Sequence, residues 1–169
     1  MTASKSIREK AHAILQMMGV KEPPVDVNKV SERLGFRVIP FDFPDDTSAV
    51  LLIEGTVRSI GVNRRHAPVR QRFSAAHELG HYLSGHEDFS GEYHLKVEDR
   101  TLYEDPEYRQ ELEANEFAAE LLMPNFMLKK DVQHIGLDVP ALAQKYKVSE
   151  QAMWIQLINL GFAREYGRS

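Results

Sequence analysis

The sequence predicts an α+β fold: a small twisted antiparallel sheet packed against a central helix, with further helices around it. Three observations carry this. Two helix-period segments occupy the first 35 residues, three short β-type runs follow between Phe36 and Asn63, and helical periodicity returns from Arg70 onward. At 169 residues with 43% apolar side chains, the chain has the length of one domain and enough apolar content for a real core. We divide it into a core over 1–124 and a C-terminal helical segment over 125–169.

The elements follow in order. Ile7, Ala11, Ile14, Leu15 and Met18 recur at helical spacing until Gly19, and Pro23-Pro24 forms a break. Val27, Val30 and Leu34 share one face of a short second helix that Gly35 ends. Phe36–Phe43 reads as a strand, and Ala49–Ile53 and Val57–Asn63 as two more joined by a Glu54-Gly55-Thr56 turn. Arg70–Leu83 is helical, residues 84–106 read as a long loop, and Pro106 suits the first turn of the next helix. That helix stops at Met123-Pro124, because a residue before proline avoids the α region. Three helices complete the chain near 125–134, 139–146 and 149–160, the last with Ser149 as N-cap.

Composition excludes several chemistries. The chain has no cysteine, which removes disulfides, Cys-ligated zinc, iron–sulfur clusters and thiol nucleophiles together. Any metal must be held by His, Asp or Glu. Residues 1–10 lack the apolar stretch of a signal peptide, and no window approaches the ~20 apolar residues that span a bilayer. The expectation is a soluble cytoplasmic protein with no membrane partner. The net charge of −4 is unevenly spread: 58–72 holds five arginines and no acid, whereas 86–120 holds twelve acids against three bases. An acidic middle argues against a nucleic-acid groove there. The arginine run reads as a solvated strand edge or loop.

His77-Glu78-Leu79-Gly80-His81 carries the chemistry. On a helix, positions i and i+4 lie one turn apart on one face, so His77 and His81 can grip one ion. Glu78 lies about 100° around the helix from His77, where it can serve a water rather than the metal. A surface helix with two unrelated histidines is the plain alternative. The small residues Ala76, Gly80, Ser84 and Gly85 around that face argue for close approach of a second helix instead.

Zinc takes three protein ligands in a catalytic site and leaves a fourth position open. Candidates for the third are His86, His94, His134 and the carboxylates of the acidic middle. Glu111, Asn115, Ala118 and Leu122 form one mostly small or apolar face, which packed on the Ala76/Gly80 side would bring Glu111 to the metal. This geometry favours Glu111 over Glu113, with Asn115 as a hydrogen-bonding supporter one turn on. Glu113, Glu116 and Glu120, with Phe117 alongside, read as a separate solvated acidic face.

The runs Arg70-Gln-Arg-Phe-Ser-Ala-Ala-His-Glu-Leu-Gly-His81 and Glu111-x-x-Ala-Asn115-x-Phe-Ala-Ala-x-Leu-Leu-Met-Pro124 resemble the ImmA/IrrE family of zinc metallopeptidases. Ile60-Gly-Val-Asn63 is similar to the strand that precedes that family's active-site helix, and the likeness covers roughly residues 8–162. The resemblance implies His77, His81 and Glu111 as zinc ligands and Glu78 as catalytic base, with manganese or iron as alternative ions for this donor set. It further implies a cytoplasmic protease that cleaves a helix-turn-helix repressor encoded nearby and so relieves repression. Ser84-Gly85 stand where relatives often carry a histidine four residues after the second ligand. Tyr82, His94 and Tyr103 are the candidates for oxyanion stabilisation.

Residues 142–160 have a helix-turn-helix-like outline, but the residues expected to be exposed on the second helix, Glu150, Gln151, Trp154 and Gln156, include no arginine. Docking or packing is therefore the expected role, and DNA binding is not. The strand ending at Asn63 is the expected edge for an added substrate strand. A different class of function, a metal-bearing regulator that binds a repressor or DNA without cutting, is the second reading.

Overall fold

The computed structural model describes residues 3–85 and 105–164. The elements are α1 (Ala3–Met17), α2 (Val27–Arg33), β1 (Arg37–Phe41), β2 (Ala49–Glu54), β3 (Val57–Asn63), α3 (Pro68–Leu83), α4 (Pro106–Leu122), α5 (Asn125–Ile135), α6 (Val139–Tyr146) and α7 (Glu150–Asn159). The α+β class holds. Four helices start on a side-chain oxygen that accepts from a backbone N–H of the first turn: Asp26 from Lys29, Asp105 from Glu107, Asp138 from Ala141 and Ser149 from Ala152. Such caps contribute about 1 kcal/mol each.

The sheet differs from the expected antiparallel arrangement. Its order is β1-β3-β2, with β2 antiparallel and β1 parallel to β3. A tight turn through Gly55, at φ +61, forces β2 and β3 to pair as a hairpin. The segment from β1 to β2 crosses the end of β3 and leaves β1 on the far side. Asn63, fully buried, pins that crossing: its Nδ2 donates to Thr47 O at 2.8 Å and Pro44 O at 3.0 Å, and its Oδ1 accepts from Arg65 N at 2.9 Å. One buried amide thus satisfies backbone groups that no sheet ladder reaches. Because β3 is paired on both sides, it offers no free edge. The edges are β1 and β2, and the expectation of strand addition on the Asn63 strand is corrected accordingly.

α4 lies between α1 and α3, and a single cluster of buried side chains runs from Ile7 and Leu15 through Leu79, Phe117 and Leu121 to Leu157. This double burial overturns two expectations. Phe117 is fully buried rather than part of a solvated face, and Glu120 is only 5% exposed. The Glu120 carboxylate accepts from Asn125 N at 3.1 Å, and burial pushes its pKa up against that bond. Gln156, expected to be exposed, is buried as well and donates to Met123 O at 2.9 Å, which caps the end of α4. Trp154 keeps about a third of its surface, at 37% exposed.

The arginine run is more structural than expected. Arg72 donates to Val25 O at 2.8 Å, Lys147 O at 3.0 Å and Tyr146 O at 3.3 Å, and so ties α3 to the segments before α2 and after α6. Arg58 donates to the Tyr82 hydroxyl at 2.6 Å, and Arg70 to Ser48 Oγ at 3.1 Å. Arg64 and Arg65 lie exposed beside Asp42, and Arg70 is exposed as well.

Asp131 braces α5 to α6. It accepts from the Tyr146 hydroxyl at 2.6 Å and from Lys145 Nζ at 2.7 Å. Burial opposes the charge, but these bonds and the lysine charge outweigh it and hold the carboxyl below the usual range. A depressed folded pKa gives stability that is complete above the unfolded value of about 3.9 and is lost as pH falls through the folded value. Asp131→Asn is expected to cost about 1.5–3 kcal/mol at pH 7, the usual worth of a charged hydrogen bond. Urea titrations at pH 7 and pH 3 check this: the gap between wild type and variant should narrow at the lower pH.

Candidate metal centre

α3 opens with Pro68 in its first turn and lays Ala75, Ala76 and Leu79 into the core beneath β2 and β3. Its other side meets α4 at backbone distance. A Cβ placed on Gly80 would stand 2.9 Å from both Ala114 Cα and Ala114 O, and 3.0 Å from Phe117 Cβ. The close approach expected from the small residues is therefore real, although Gly80 meets Ala114 and Phe117 rather than Ala118.

That contact sets the register of the two helices. His77 Nε2 lies 3.1 Å from Glu111 Oε2, and His81 Nε2 lies 3.0 Å from Glu111 Oε1. The candidate ligand atoms of His77, His81 and Glu111 all fall within 4.8 Å of one another, the one such group among the described residues. The imidazole rings stand nearly perpendicular, with centroids 4.6 Å apart. His77 Nδ1 lies 2.8 Å from Asn115 Oδ1, one turn beyond Glu111 on the same helix. Among the other third-ligand candidates, His134 is exposed on α5 and Glu113 is outside the group. His86 and His94 fall outside the described residues, as does Tyr103. Tyr82 packs edge-on against Phe36 and holds Arg58, a packing role that sequence pattern did not reveal.

Electrostatics suits a cation. Burial lowers the His77 pKa to about 4, against the opposing pull of its bonds to Glu111 and Asn115. Burial alone would raise Glu111, but hydrogen bonding and charge from His77 and His81 bring it down to about 2. The ring is thus neutral and the carboxylate ionised at pH 7. His77 thus has one ring nitrogen, Nδ1, against the Asn115 amide and the other, Nε2, against the Glu111 carboxylate. The Glu111 carboxylate bridges the two rings, with Oε2 toward His77 and Oε1 toward His81. Zinc bonds of about 2.0–2.2 Å to imidazole and carboxylate make such a spacing a natural one for shared ligands. The donor set fits a divalent ion.

Glu78 is 3% exposed, and its Oε1 has no hydrogen-bond partner. Burial, reinforced by the Glu111 charge, pushes its carboxyl well above the usual range. Burying a carboxyl with one oxygen unsatisfied is costly for stability.

The family model of the peptidase M78 group, described as the IrrE N-terminal-like domain, matches residues 31–157. The chain belongs to this family of peptidases. A solved structure described as a Mycobacterium tuberculosis transcriptional regulator superposes with a TM-score of 0.66 at 15% identity, covering 90% of this chain and 47% of that one. The chain therefore spans about half the length of that regulator, and the likeness is one of fold. No curated protein matches the chain. Among the described residues no helix is long and apolar enough to cross a membrane.

Gly80→Ala is expected to cost about 1–3 kcal/mol, because the added methyl meets backbone rather than a movable side chain. Since the helices must separate, the same substitution should weaken zinc binding. Denaturant titration together with zinc competition against a chromophoric chelator checks both effects, and unchanged affinity would refute the shared cause.

Proposed function

We propose that this chain is a zinc-dependent endopeptidase of the HExxH type. The observation that carries the reading is the convergence of His77, His81 and Glu111 beside the buried, unsatisfied Glu78. We assign His77, His81 and Glu111 as metal ligands and Glu78 as catalytic base. Zinc suits the donor set best, with manganese or iron also accommodated.

When bound, the ion supplies Lewis acidity, polarising a peptide carbonyl and lowering the pKa of water towards about 7. Glu78 takes the proton from the water as its oxygen attacks the carbonyl carbon, then delivers it to the amine nitrogen as the C–N bond breaks. Burial gives this carboxyl the raised pKa that both transfers need. Water is limited on one side of the site by the α3–α4 contact, where backbone meets backbone. β2 is an edge strand that packs against α3, and its free edge is where we propose that an extended substrate adds.

The substrate we propose is a helix-turn-helix repressor, whose cleavage relieves repression in the cytoplasm. Membership of a peptidase family supports cleavage of protein, and the repressor follows from the resemblance of the Arg70–His81 and Glu111–Pro124 runs. We read 1–124 as the peptidase core and 125–169 as a helical docking segment. Burial of Gln156 removes one of the few polar groups that α7 had for base edges, which supports docking over DNA contact.

Glu78→Gln is expected to keep zinc and lose cleavage by about 10²–10⁴-fold, the usual share of general acid–base catalysis. The assay incubates zinc-loaded protein with the repressor encoded nearest its gene and follows the fragments by mass spectrometry. A Gln variant that still cuts would end the mechanism. A wild type that binds operator DNA and never cuts would favour the non-proteolytic regulator instead.

A further inference from the structure

β2 lies along α3, and two contacts at opposite ends fix the alignment. Where both elements begin, Arg70 Nη2 donates to Ser48 Oγ at 3.1 Å. Where both end, Arg58, paired across the hairpin with Ile53, donates to the Tyr82 hydroxyl at 2.6 Å. From 70 to 82 a helix rises about 18 Å, and from 48 to 53 a strand rises about 17 Å, so the two spans match. β2 therefore accompanies the part of α3 that carries the histidines. Arg70, Ser74, His77 and His81 fall within about 60° of one another around the helix, at about 100° per residue. Arg70 thus shares the ligand-bearing face, about 10 Å before His77 and about 16 Å before His81. It is exposed, whereas Ser74 and His77 are buried.

We propose that Arg70 is a specificity-determining residue that binds an acidic side chain of the substrate, about three to five residues to one side of the cut bond. The proposal rests on the peptidase reading and on substrate addition at β2, and it names what that substrate must carry. An extended peptide advances about 3.3 Å per residue, which converts the distances along α3 into that window. The Ser48 hydroxyl is neutral and occupies one nitrogen of the guanidinium; the other N–H groups have no partner among the described residues. Asp42 stands beside Arg64 and Arg65 instead, and α3 has no acidic residue in its first turn. A guanidinium presents its donors as a fork that fits a carboxylate, so an Asp or Glu of the peptide supplies the counter-charge that this end of α3 lacks.

The probe is a library of synthetic peptides varied at every position, digested by the zinc-loaded protein and read by mass spectrometry. Wild type should enrich Asp and Glu at one position inside that window. Arg70→Glu should enrich Lys and Arg at the same position, while Ser48→Ala, which removes only the tether, should keep the acidic preference. For the best-cut peptide, replacing its acid by the matching amide should raise KM about 2–5-fold with kcat little changed, the range of a solvent-accessible ion pair. Arg70→Ala should not distinguish the two peptides. Zinc-loaded Glu78→Gln, in which cleavage is expected to be lost, should bind the same pair with the same ratio in fluorescence anisotropy, and the ratio should shrink as salt is raised. A purely structural role for Arg70 would change the melting temperature and the overall rate, but it would not exchange one charge preference for the other. Cleavage with no acidic preference in the window, or a preference that survives Arg70→Ala, overturns the proposal and leaves the peptidase reading intact. Absence of cleavage of every peptide with zinc, manganese or iron overturns the peptidase reading, and this proposal with it.

Discussion

Everything at the site depends on α3 and α4 touching backbone to backbone. Side chains of ordinary size would hold two helices about 8–10 Å apart, and the residues on either side of the seam would then face a gap. Gly80 removes that spacer, and Ala114 supplies the least bulky surface to meet it. The contact offers little stabilisation of its own, since glycine in a helix costs about 1 kcal/mol relative to alanine. Its return lies one turn away on each side, where His77 and His81 from one helix converge on Glu111 of the other.

The ligand-bearing faces were the most legible part of the sequence. The i, i+4 spacing of His77 and His81 and the small residues around them are local signals, and each follows from helix geometry without knowledge of the partner. Glu111 and Asn115 were legible for the same reason, as polar residues in an otherwise small or apolar stripe. The sheet was less so. Local pattern found three strands but not their order, which depends on a crossing held by the Asn63 side chain and visible only once residues 43–47 are folded around it. Glu120, Phe117 and Gln156 were misplaced because helical periodicity assumes one buried face. α4 has two, one against α3 and one against α1.

Three long polar side chains at the helix junctions follow one logic. Glu120 receives the first free N–H of α5, Gln156 serves the last carbonyls of α4, and Arg72 gathers three carbonyls, one before α2 and two at the end of α6. Each is a long side chain satisfying backbone where helices end, the place where secondary structure leaves donors and acceptors over. Charge in the sequence around these positions suggested surface, yet end-of-helix chemistry decided otherwise. Arg58, Arg70, Arg72 and Glu120 are better understood as fasteners than as a field.

Residues 84–105 separate the two ligand-bearing helices along the chain, while the Gly80–Ala114 contact joins those helices in space. Two donors far apart in sequence, His81 and Glu111, are thereby held 3.0 Å from each other. A single hydrogen atom at position 80, where any other residue would carry a carbon, keeps the two halves of the site in register.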